Sequence, residues 1–184
     1  MISGQQQRKN YQNSVNRHKR YICAMLCCFC LGTVHAETHT FTASVRFISP
    51  LTLSNTVNPD LGTFATGPSG RNYILGTDGS ISGTDANDYV GGASAGSMII
   101  RGSATQKIDI VAQNLTDDGG VSIANVICNY DGNGDTDCST GITAVASPSP
   151  AGTSLLIGMD INTTTSHADG DTASPSFDIV VSYN

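Results

Sequence analysis

Over the last eight residues the side chains sort onto two sides of an extended chain. Phe177, Ile179, Val181 and Tyr183 share one side, and Asp178, Val180, Ser182 and Asn184 share the other. Successive side chains of a strand point to opposite faces of a sheet, so this register predicts a half-buried strand. Pro175 stands where such a strand can begin, ahead of a ladder it could not join for want of an N–H. Tyr183 is penultimate, so no following segment is expected to cover the free border of the strand. A bare edge of N–H and C=O groups is a template for another strand, from the same chain or from a second one. The expectation set by this ending is therefore strand exchange.

The residues before it point to the same fold class. After residue 36 the chain is rich in Thr, Ser, Gly, Asp, Ala, Val and Ile and has no Trp, a mix that favours strands and turns over helices. No window carries apolar residues at helical spacing for three turns. Short alternating runs occur instead: His39–Phe47, Leu51–Thr56, Asn72–Leu75, Ser97–Gly102, Lys107–Ala112, Val121–Cys128, Gly141–Val145 and Thr153–Ile161. Turn signals separate them, among them Gly76-Thr77-Asp78-Gly79, Asp117-Asp118-Gly119-Gly120 and Ala168-Asp169-Gly170-Asp171. Residues 83–97 read as a loop. The pattern predicts an all-β, antiparallel β-sandwich with Greek-key connections, in one domain over 37–184.

Residues 1–36 read as an address. A polar stretch ends in Arg17-His18-Lys19-Arg20, and the apolar run Tyr21–Thr33 is too short for a stable span. Val34-His35-Ala36 then places small residues where a signal peptidase cuts, so a secretory signal peptide with cleavage after Ala36 is expected. Removal leaves no membrane span. It also leaves four basic residues, Arg46, Arg71, Arg101 and Lys107, against fifteen acidic ones, a net charge of −11. A chain so acidic is repelled by nucleic acid and by anionic lipid. Of the six cysteines, Cys128 and Cys138 remain. An even pair in an exported chain predicts a disulfide, which by chain entropy is worth roughly 2–3 kcal/mol for so short a loop.

Few groups suggest chemistry. Gly92-Ala93-Ser94-Ala95-Gly96 matches a nucleophile elbow, which needs a strand before it, a helix after it and a histidine as base. A β-forming run, Ser97–Ile100, follows instead, and His167 is the one histidine downstream. Within the loop closed by the cysteines, Asp131, Asn133, Asp135 and Asp137 set oxygens at alternate positions, the spacing calcium loops use. The Gly at the sixth position and Glu at the twelfth of a helix-flanked calcium loop are missing, so an acidic hairpin tip is the plainer reading. His39 and His167 are too isolated to make a metal site. No cofactor and no enzymatic activity are expected.

Three stretches and the ending carry a resemblance. Ser49–Thr56, Leu61-Gly62-Thr63, Gly92–Gly96 and Phe177–Asn184 together look like the secreted bacterial domain-of-unknown-function 4402 family, which has no assigned activity to carry over. The ending also resembles chaperone–usher pilus subunits, which close with alternating apolar residues and a penultimate tyrosine. That resemblance implies an immunoglobulin-like sandwich completed by an N-terminal extension of the next subunit. Residues 38–47, with Phe41, Ala43, Val45 and Phe47 as inserted side chains, match such a donor strand; pairing within their own domain is the equally open alternative. The late position of Cys128 and Cys138 departs from common pilins. The implied function is a secreted, pilin-like or adhesin-like subunit of a fimbrium or cell surface. Its partners would be other copies of itself or related subunits, with a periplasmic chaperone and an outer-membrane usher. The alternative is a self-contained extracellular glycan- or ligand-binding module, calcium-assisted through residues 131–137.

Overall fold

The computed structural model describes residues 42–184. The expected signal segment, its cleavage point after Ala36, and Phe41 lie outside the described residues. The chain divides into two compact units, Met1–Val45 and Arg46–Asn184, and the fold below belongs to the second. It is all-β, and its one helical element among the described residues is a 3-10 turn, Ala86–Asp88.

The strands are β1 (Thr52–Val57), β2 (Thr63–Phe64), β3 (Asn72–Leu75), β4 (Ile81–Ser82), β5 (Tyr89–Gly91) and β6 (Gly96–Arg101), followed by β7 (Ile108–Thr116), β8 (Val121–Tyr130), β9 (Thr136–Asp137), β10 (Ile142–Val145), β11 (Thr153–Thr163) and β12 (Ser176–Tyr183). Seven of them form one antiparallel sheet, and β10, β7 and β12 form a second. Two-residue β2 pairs with β5.

The large sheet is built on β11. Along one border it pairs with β8 from Leu155 to Thr163. Along the other border it is shared: Thr153–Ile157 pair with β6, and Met159–Asn162 pair with β3. Gly158 sits where one neighbour gives way to the next, and a Cβ there would strike the Leu75 carbonyl oxygen. Beyond these, β1 lies on β6 and β4 on β3.

Alternation decides which side chains enter the core. Ile108, Ile110 and Ala112 of β7 are buried, as are Met98 and Ile100 of β6, Val126 and Cys128 of β8, and Leu155, Ile157, Met159 and Ile161 of β11. These rows pack the two sheets together as a β-sandwich, at about 1.5–3 kcal/mol for each large aliphatic side chain taken out of water. The hairpins follow the turn residues. Gly76 and Ser80 close β3–β4 with a backbone bond of 2.8 Å, and Asp118 and Val121 close β7–β8 with bonds of 3.1 and 2.8 Å.

Two expectations are corrected here. The strand expected over His39–Phe47 does not form in its described part, since residues 42–50 join no ladder. Alternation supplies a face, but a strand also needs a neighbouring edge to bond. Residues 83–97, expected as loop, contain the 3-10 turn, β5 and the start of β6.

Candidate functional site

The two sides of the sandwich are built differently. On one side the chain from β9 to β10 passes from the large sheet to the small one. Cys138 donates its N–H to the Val126 carbonyl of β8 and accepts the Ala112 N–H of β7, both at 2.8 Å. One residue thus bonds both sheets. The disulfide joins Cys138 to Cys128 of β8 with their Cα atoms 5.7 Å apart, and both cysteines are buried.

On the opposite side, among the described residues, no single residue bonds both sheets through its backbone in this way. There β12 pairs with β7 from Ser176 to Tyr183, and among the described residues its other border has no partner. The neighbouring border of the large sheet is β1, which pairs with β6 alone. Leu53 and Val57 of β1 are exposed. Phe177, Ile179, Val181 and Tyr183 point at the core but stay only half-buried, because nothing described covers them from the side. This is a row of apolar side chains beside an unused ladder.

Both ends of β12 are anchored. At the far end, Tyr183 Oη donates to the Ser49 carbonyl at 2.5 Å and accepts the Ser103 N–H at 2.7 Å. Asn184 donates its amide to Asp109 Oδ1 at 3.0 Å and its backbone N–H to the Lys107 carbonyl at 3.0 Å. Asp109 also accepts the Ala144 N–H at 2.7 Å, and these donors, that N–H first, hold its carboxyl below the ordinary aspartate value. At the near end, Asn114 stands at φ 55°, the register shifts there, and its amide donates to Asp178 at 2.8 Å.

Of the donor-strand candidates, Ala43, Val45 and Phe47 are exposed and outside any ladder, Val45 at 77% and Phe47 at 88%. Arg46 between them donates to Thr105.

No family model matches this chain, and no curated protein or solved structure matches it.

The other candidate residues have local work. Asp135 accepts the Thr77 hydroxyl at 2.5 Å and the Asn129 amide at 3.2 Å. Asp137 accepts the Ser139 N–H at 2.7 Å, and Asn133 donates to the Tyr130 carbonyl at 3.0 Å. Asp131 is exposed in a left-handed turn at φ 58°. These oxygens serve the hairpin tip, and among the described residues no three His, Cys, Asp or Glu side chains gather as a metal site would need. Ser94 is held in a two-way backbone bridge with Asp60, at 2.8 and 2.9 Å, and is followed by β6 in place of a helix. It does not line the cavity that holds His167.

The bridging role of Cys138 was not readable from the sequence. A cysteine pair signals a covalent link, but backbone bonding to two sheets leaves no mark on residue type.

Proposed function

We propose that this chain is a secreted surface-structural subunit that joins other copies of itself, or related subunits, by strand exchange at the free border of β12. One observation carries the reading: the half-buried row Phe177, Ile179, Val181 and Tyr183 lies beside a ladder edge that has no partner among the described residues, while Val45 and Phe47 stand exposed in a segment of matching alternation. An added strand gains main-chain bonds along its length and inserts every second side chain. Export through residues 1–36, delivery to the periplasm and cell surface, and handling by a chaperone and usher belong to this reading. So do the resemblance to the domain-of-unknown-function 4402 family and the pilin-like, immunoglobulin-like topology. It assigns no catalytic role to any residue.

The test is a chain lacking residues 37–48. The deletion is expected to lose self-association in sedimentation, and a synthetic peptide of residues 38–47 is expected to bind it and raise its melting temperature. The same peptide with Val45→Asp and Phe47→Asp should do neither. A deletion that associates like the full chain, or a peptide that leaves the melting curve unmoved, sinks the proposal.

A further inference from the structure

A cavity of about 520 Å³ lies between the segment around Phe64 and Gly67 and the β11–β12 connection around His167 and Ala173. That volume falls within the range of small-molecule sites, about 300–1,000 Å³. Its walls are tied to each other, since the His167 N–H donates to the Gly67 carbonyl at 3.0 Å. Its apolar lining includes Phe64, Tyr73 and Ile161, with the Phe64 and Tyr73 rings 4.2 Å apart and tilted by 40°.

The polar lining narrows the ligand class. Arg71 is bonded to Asp85 at 2.5 Å and lies 3.3 Å from Asp88, so its charge is already matched while the guanidinium retains further N–H donors. Asp169 and Asp171 stand exposed in the same lining, which makes the site repel anions. Asp171 accepts the Ala168 N–H at 2.7 Å. His167 Nε2 is shielded from solvent and meets no partner among the described residues. A buried polar atom without a partner is uncommon enough to ask what else it bonds. Donors from Arg71 and an exposed carboxylate beside an aromatic ring suit a ligand that is uncharged, rich in hydroxyls and apolar on one face.

We propose that this cavity is a carbohydrate site for one neutral pyranose ring, either free or at the end of a glycan. The inference stands apart from strand exchange, because none of its residues belongs to the unpaired row on β12.

The test titrates the full chain with methyl pyranosides of glucose, galactose, mannose and N-acetylglucosamine, followed by calorimetry and amide chemical shifts. At least one sugar is expected to bind with a dissociation constant on the order of 1 mM, shifting the amides of Gly67 and His167. Thr172→Trp fills the opening from an exposed position, and Asp169→Ala removes an exposed acceptor. Each should weaken binding by about tenfold or more at an unchanged melting temperature. Binding of a glycan-terminal but not the free sugar would keep the class and assign the source. No binding at ~20 mM of either the free sugars or oligosaccharides ending in them, tighter binding of a sialic acid or an amine, or a Thr172→Trp variant that binds as the parent does, would each overturn it.

Discussion

The Tyr183 hydroxyl serves Ser103 and Ser49 at once, at 2.7 and 2.5 Å, and so ties the end of β12 to the residues that lead into β1. Tyr183→Phe keeps the ring and loses both bonds, and is expected to cost about 1–2 kcal/mol, read as a lower urea midpoint at unchanged slope. Gly158→Ala should cost more, about 3 kcal/mol, because the new methyl meets the Leu75 backbone and neither strand can retreat from β11. Asp109, Asp85 and Asp78 all titrate below the ordinary aspartate value, held there by hydrogen bonds, first from Ala144, Asn72 and Ser80 respectively. A lowered folded value means the contribution is fully present above the unfolded value, about 3.9, and is lost as pH falls through the folded one. Urea midpoints should therefore drop below about pH 4, and Asp109→Asn should flatten part of that slope. At this scale the sequence revealed which face Tyr183 takes. It could not reveal Ser49, its partner 134 positions away, since nothing in either residue type names the other.

Among the strands, legibility followed amphipathicity. β12 alternates half-buried and exposed along its whole length, as its sequence demands, and β6 and the first half of β7 alternate buried and half-buried. β11 was legible as a strand, but its role was not: the unbroken apolar stretch Leu155–Met159 says it is central without saying that two strands share its border. The first alternating run, His39–Phe47, shows the converse, because pattern alone cannot supply a neighbour. The acidic hairpin between β8 and β9 was read through its oxygens, while its structural weight rests on Cys138. Replacing Cys128 and Cys138 together by Ala is expected to cost roughly 2–3 kcal/mol in urea titration. The larger sign of this loss should be faster amide exchange at Ala112, whose N–H bonds to Cys138.

Taken whole, the molecule has unequal flanks. Residues 136–145 stitch β8 to β7, while at the borders formed by β1 and β12 the described bonds are those of Tyr183 to Ser49 and Ser103. Opening free energies should follow this inequality, with amides of β8 and β7 near Cys138 exchanging by global unfolding and those of β1 exchanging through smaller openings. Native-state hydrogen exchange measures both, and equal protection of the two flanks would contradict it. The stitched flank also sets a direction of movement. Of the two flanks, the one away from Cys138 is therefore the one expected to open first. On the strand-exchange reading, an incoming strand would arrive away from Cys138, so the covalent link to Cys128 and the backbone bonds that Cys138 makes to both sheets would stay in place while it comes and goes.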